Sequence, residues 1–190
     1  MNSSTLYIKN MVCPRCIKVV STTLTALGIP VQAATLGKVT IDRTLTQQEL
    51  QTVSEQLTAE GFELLDDKKM QVVEAIKNLV VETVHYGELD ELKENFSTLL
   101  SQKLHKDYNT LSKLFSEQEG TTIEQYIIHQ KIERVKELLL YGDLTLSEIA
   151  IKLGYSSVAH LSAQFKKVTG MTPSQFKQAG SAERKPLDAI

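Results

Sequence analysis

Two cysteines, Cys13 and Cys16, stand three positions apart, and the chain has no others. In a reducing compartment a C-x-x-C pair serves as a metal site or redox centre more readily than as a structural disulfide. Two thiolates at this spacing can chelate one soft ion such as Cu(I), or supply half of a tetrahedral Zn(II) site, and a helix that starts at the pair lowers thiol pKa. No histidine occurs in residues 1–67, so a closed four-ligand site needs a second chain or an exogenous ligand. The four histidines, His85, His105, His129 and His160, lie far in sequence from the cysteines. Nothing has the pattern of a nucleophile with its base, a phosphate loop or a paired-carboxylate site, which argues against an enzyme. Thiol oxidoreductase chemistry rests on the C-x-x-C alone.

The cysteine loop must be held by the elements around it. Leu6-Tyr7-Ile8 reads as a strand, about Cys16 to Ala26 as a helix, and Val31 to Ala34 as a second strand. Gly37 marks a turn before Val39-Thr40-Ile41, Thr46 to Glu60 has helical periodicity with a Thr46/Glu49 capping box, and Gly61 precedes Phe62 to Leu65. The order is βαββαβ, the ferredoxin-like arrangement, over residues 1–67. Asp66-Asp67-Lys68-Lys69 is the expected boundary, followed by a connecting helix over 68–94 whose apolar positions, Val72, Val73, Ile76, Leu79 and Val80, fall on more than one face.

The second half repeats itself at an offset of fifty residues. Leu111, Ser112, Phe115, Gly120, Thr122 and Gln125 align with Leu161, Ser162, Phe165, Gly170, Thr172 and Gln175. In the later copy Thr145 and Glu148 cap a short helix that ends at Gly154, and a longer helix follows Ser156-Ser157. In the earlier copy the chain runs from Asn95, turns near His105-Lys106-Asp107 and continues from Tyr108 to Gln118. Each copy is a short helix, a tight turn and a longer helix, which is helix-turn-helix anatomy. A capped helix from about Thr122 to Tyr141 is the apolar spine between them.

Two such helices on one spine can enter successive major-groove segments about 34 Å apart. Their outward positions carry Lys106, Asn109, Thr110, Ser112 and Lys113 in one and Ser157, His160, Ser162, Gln164 and Lys166 in the other, donors and acceptors suited to phosphates and base edges of double-stranded DNA. A plain helical bundle with an internal duplication is the alternative.

Residues from about 72 to 178 resemble the AraC/XylS-type DNA-binding domain. The similarity lies in LTLSEIAIKLGYSSVAHLSAQFKKVTGMTPSQFK, Leu144 to Lys177, and in KIERVKELLL, Lys131 to Leu140, which resembles the family's linker helix. The resemblance implies a transcription regulator with the double helix-turn-helix over 95–178, in which Lys113 stands at a base-reading position. The equivalent place in the second recognition helix is Ala163, which leaves base reading there to His160 and Gln164. Residues 5–66 resemble the heavy-metal-associated domain through Met11, Cys13 and Cys16 (M-x-C-x-x-C) and Gly61-Phe62; Asn10 replaces the usual glycine, and Pro14-Arg15 the usual small polar pair. That resemblance implies that the counterpart of Met11 packs inward and that Cys13 and Cys16 bind metal.

Charge is balanced, with 5 Lys/Arg against 7 Asp/Glu in residues 1–67 and 16 against 16 in 68–190. A DNA face must therefore be local, as in residues 144–180, where Lys152, Lys166, Lys167 and Lys177 face Glu148 alone. No secretory signal or membrane-length apolar run is present, so a cytoplasmic location is expected. The combined expectation is an α+β chain: a ferredoxin-like domain, then an all-α domain with two helix-turn-helix units, and a flexible tail over 179–190. The function expected is a DNA-binding regulator responsive to a soft metal, with homodimerisation open and RNA polymerase a partner if it activates. A metal carrier or buffer with a helical interaction domain, or a thiol redox sensor, are the alternatives.

Overall fold

The computed structural model describes residues 3–90, 92, 94–180 and 184–190. Glu91 and Lys93 of the connecting stretch and residues 181–183 of the expected tail lie outside the described residues. The chain divides into two compact units, Met1–Asn78 and Leu79–Ile190.

The first unit runs β1 (Ser4–Lys9), α1 (Pro14–Ala26), β2 (Val31–Thr35), β3 (Lys38–Ile41), α2 (Gln47–Ala59) and β4 (Glu63–Leu65). The strands form one antiparallel sheet in the order β2-β3-β1-β4. Alternation along β1 sends Leu6 and Ile8 into a core with Val20, Leu24, Val39, Ile41, Val53 and Leu57, so α1 and α2 share that core. The Thr46/Glu49 capping box forms as expected. Helix α1 starts at Pro14, two residues earlier than periodicity predicts, because proline has its φ preset for the first helical position and no N–H to leave unsatisfied there.

Helix α3 (Lys68–Val81) follows. The expected boundary at Asp66–Lys69 is the start of this helix. Asp67 Oδ1 accepts from the N–H groups of Lys69 and Met70, and the charges there cap a helix. The first turns of α3 belong to the sheet's unit: Gln71 Nε2 donates to Leu65 O at 2.9 Å, and Asn78 lies against Gly37. Gly37 has φ +72°, and a Cβ there would sit 2.1 Å from Asn78 Nδ2, so both backbone and space require glycine. The division between units accordingly falls after Asn78, inside α3. The connecting helix expected to reach residue 94 stops sooner. A π-helical segment, Glu82–Tyr86, ends it at Gly87, whose backbone is extended (φ −92°, ψ −178°).

The second unit contains α4 (Phe96–Leu104), α5 (Tyr108–Glu119), α6 (Ile123–Tyr141), α7 (Leu146–Lys152), α8 (Val158–Thr169) and α9 (Pro173–Ala179). Its core holds Leu100, Leu111, Phe115, Ile132, Val135, Ile149, Leu161 and Phe165, all buried. The expected flexible tail is corrected for residues 184–190, which lie along α6. Lys185 N–H donates to Glu133 Oε2 at 3.1 Å, Gln130 Nε2 donates to Leu187 O at 3.2 Å, and Arg184 pairs with Glu137 at 3.6 Å. Buried Glu133 and Gln130 need partners, and the tail supplies them. Among the described residues no helix is long and apolar enough to cross a membrane.

Candidate nucleic-acid interface and cysteine loop

The fifty-residue repeat is a repeat of structure. Helices α5 and α8 have equal length and begin at equivalent positions, Tyr108 and Val158. Asp107 and Ser157 cap their N-termini by accepting from the N–H groups of Thr110 and His160, and Gly120 and Gly170 end them in the left-handed conformation. The buried pairs are Leu111 with Phe115 and Leu161 with Phe165. Phe115 meets Tyr126, and Phe165 meets Phe176, with ring centroids 5.6 Å apart in each case. The preceding turns differ: His105 takes left-handed φ 52° before α5, whereas Gly154 takes φ 65° before α8.

Burying Leu111 and Phe115 leaves Asn109, Thr110 and Lys113 exposed on the first two turns of α5, with Lys106 exposed just before it and Ser112 half-buried. The Lys113 ammonium is 4.0 Å from Glu117 and its side chain is 80% exposed. On α8 the equivalent exposed residues are Ala159, His160 and Ala163, followed by Lys166 and Lys167, while Ser162 and Gln164 are half-buried. Several of the residues singled out by sequence already have partners. Ser157 is a cap, and Thr110 Oγ1 donates to the Asp107 carboxylate that caps α5. Gln164 Oε1 accepts from the Tyr155 hydroxyl at 2.7 Å. His160 meets the Tyr155 ring edge-on, centroids 5.4 Å apart, with Nδ1 3.1 Å from Ser156 Oγ.

Lys131, within the stretch that resembles a linker helix, is a residue that the outward-face reasoning missed. Its ammonium lies 5.3 Å from the Tyr155 ring centroid and 5.9 Å from that of Phe96, so α6 holds the first helix of one copy and the turn of the other through one cation. Burial pushes its pKa down. The available signal was a lysine placed among the apolar positions Ile127, Ile128, Ile132 and Val135 of the spine.

In the first unit the cysteine loop joins β1 to α1. Cys13 is the N-cap of α1 and Cys16 lies in its first turn, both half-buried, with their sulfurs 3.0 Å apart. Met11 is fully buried, so its thioether packs in the core. Asn10 has φ 71°, the left-handed conformation for which glycine is the default and which asparagine tolerates. Asn10 thus holds a turn that glycine would also allow, and it adds a bond, since Asn10 Nδ2 donates to Gly61 O at 3.0 Å. The expected lowering of thiol pKa is corrected at Cys16: burial raises it, and hydrogen bonding with Cys13 raises it further, against smaller lowering by backbone N–H groups. Two thiolates sharing one ion with bonds of about 2.3 Å would stand farther apart than the 3.0 Å between these sulfurs. Among the described residues no group of three or more His, Cys, Asp or Glu could hold a metal, so the pair by itself is a two-donor site.

Comparison with known proteins places the likeness in the second half. The helix-turn-helix domain family matches residues 100–179. Uncharacterized HTH-type transcriptional regulators of Staphylococcus aureus are 33% identical over 114 residues, covering 60% of this chain and 14% of theirs. The uncharacterized transcriptional regulatory protein YesN of Bacillus subtilis is 36% identical over 83 residues, covering 42% of this chain and 22% of its own. The chain thus spans less than a quarter of the length of these relatives. Among solved structures, the C-terminal domain of AraT, a response regulator from Geobacillus stearothermophilus, shares the fold with a TM-score of 0.50 at 22% identity, over 60% of this chain and 88% of that one. Residues 100–179 are thus similar to a helix-turn-helix domain.

Proposed function

We propose that the chain is a sequence-specific transcription regulator that binds double-stranded DNA by placing the N-terminal turns of α5 and α8 in successive major-groove segments. The observation that carries this is the duplicated helix-turn-helix, with equivalent caps and buried pairs and with exposed Asn109, Lys113, His160, Lys166 and Lys167 outside them. Lys106, Lys113, Lys166 and Lys167 supply phosphate contacts, and Asn109 with Lys113 supplies base contacts. A salt titration of binding to duplexes selected from a random library tests it. Selective binding that weakens steeply with salt supports the reading, and indifference to sequence overturns it.

The convergence of Cys13 and Cys16 favours a second feature, response to a soft metal. The βαββαβ order and the strand order β2-β3-β1-β4 support a ferredoxin-like, heavy-metal-associated reading of the first unit. Cys13 and Cys16 would hold Cu(I) as two thiolates; Zn(II) would need two further donors from a second copy or an exogenous ligand. Bound metal supplies a fixed positive charge that keeps both thiols deprotonated. The loop is tied to α3 through Asn10 and Glu74, and the π-helical segment that continues α3 is tied to α6 through His85 and Gln130. That covalent route would carry loop state towards the DNA-binding helices. Metal-dependent DNA binding that persists in Cys13→Ser with Cys16→Ser would overturn it. Tight metal binding without selective DNA binding would favour a metal carrier. Homodimerisation and contact with RNA polymerase belong to the same proposal.

A further inference from the structure

The two recognition helices are alike in backbone and unlike in chemistry. On the exposed face of the first two turns, α5 carries Asn109 and Lys113, one turn apart. At the same two places α8 carries Ala159 and Ala163. The polar neighbours that could compensate on α8 are engaged: the Gln164 carboxamide oxygen accepts from Tyr155, and His160 is held against the Tyr155 ring and Ser156. Tyr155 is itself buried and faces Lys131 from α6, so this arrangement is part of the packing of the domain.

We infer that α8 reads DNA through methyl groups: Ala159 and Ala163 pack against the C5-methyls of thymines, while α5 reads hydrogen-bonding base edges. The inference rests on the DNA-binding reading above. Residues near the N-terminus of a recognition helix are those that meet base edges. In the major groove only thymine presents a methyl, and an exposed alanine can contact it without leaving a polar group unpaired, whereas asparagine matches adenine and lysine matches guanine. Charge is compatible with close approach on α8. Lys166 and Lys167 are exposed in its last turn and the helix contains no Asp or Glu, while α5 contains Glu117 and Glu119. The small side chains also let the α8 backbone lie deeper in the groove, where its lysines reach phosphates. The site recognised is then asymmetric, with a hydrogen-bonded half under α5 and a thymine-dependent half under α8.

The test uses the full chain and the duplex it selects from a random library, with deoxyuridine, which lacks the methyl, replacing thymidine at one position at a time. For the wild-type chain, loss of one contacted methyl is expected to weaken binding about fourfold, the worth of one buried methyl-sized group. The sensitive positions are expected to cluster in one half of the site. Ala163→Gly is expected to bind more weakly and to lose the deoxyuridine effect at one of those positions, whereas Lys113→Ala keeps it. Because glycine weakens a helix, circular dichroism accompanies that variant, and the wild-type deoxyuridine scan decides the matter if it fails to fold. Selective binding unchanged by deoxyuridine throughout the site overturns the inference and leaves the regulator reading standing; failure to select any duplex overturns both.

Discussion

The backbone N–H of Asn10 donates to Glu74 Oε1 at 3.2 Å, so the residue that opens the cysteine loop is held by the helix that leaves the sheet. Asn10 adopts φ 71°, and its side chain is bonded to Gly61. Asn10→Gly keeps the backbone and loses one side-chain bond, so the expected cost is below about 1.5 kcal/mol. Asn10→Val forces a β-branched residue into the left-handed region and is expected to cost about 1–3 kcal/mol. Urea unfolding of the two variants measures the difference; equal midpoints would remove backbone conformation as the reason for asparagine here.

Glu74 offers a separate test of the same contact. Buried Glu74→Leu takes the acceptor from Asn10, and an unpaired partly buried N–H costs about 1–3 kcal/mol, whereas Glu74→Gln keeps an acceptor oxygen. Amide hydrogen exchange at Asn10 is expected to rise sharply in Glu74→Leu and little in Glu74→Gln. Exchange unaltered in both variants would mean that the bond does not protect the loop.

A pH dependence is expected from His85. Its Nε2 lies 2.9 Å from Gln130 Oε1, and burial lowers its pKa below the ordinary 6.5, with nearby Arg134 and Arg184 acting in the same direction and Glu137 and the Gln130 bond opposing. A histidine with a lowered folded pKa binds fewer protons folded than unfolded. Its contribution is therefore intact above about pH 6.5 and is lost as pH falls from there towards the folded value. Thermal unfolding of wild type and His85→Gln between pH 5 and 8 should give a shallower acid slope for the variant. Parallel curves would show that His85 does not set that slope.

Much of this architecture could be read from residue types, and the limits have physical causes. Leu111, Phe115, Leu161 and Phe165 must be apolar at fixed spacing, and Thr122, Thr172, Gly120 and Gly170 must cap at fixed places, so the repeat is visible in the letters. The βαββαβ order was legible for the same reason, through alternation in β1 and the Thr46/Glu49 box. Where a flexible polar side chain ends was not. Gln164 on a helix surface is free to point outward or back, and only the position of the Tyr155 hydroxyl decides it. The docking of residues 184–190 depends on backbone groups, such as Leu187 O, that every residue type carries. The unit boundary was displaced because an acidic run can cap a helix as well as separate domains.

The equivalent aromatic pairs predict equivalent energetics in the two helix-turn-helix units. Phe115 and Phe165 are fully buried, each against one ring of the helix that follows. Phe115→Ala and Phe165→Ala are each expected to cost about 3–5 kcal/mol. Denaturant unfolding measures this, and a cost below about 1 kcal/mol at either site would contradict the packing described.

Residues 184–190 provide the sharpest contrast between a free tail and a docked one. Deleting residues 181–190 takes the Lys185 N–H from Glu133, the Leu187 carbonyl from Gln130 and the Arg184 guanidinium from Glu137. Glu133 and Gln130 are buried; Glu133 keeps its bond to Lys136 at 2.6 Å, and Gln130 keeps Tyr126 and His85. Each lost partner leaves a buried polar group short, at about 1–3 kcal/mol for the worst placed. Truncation should lower the unfolding midpoint of the second unit and speed amide exchange in the middle of α6. A tail that only samples solvent would leave both unchanged, and the bonds assigned to Glu133 and Gln130 would then have no energetic weight.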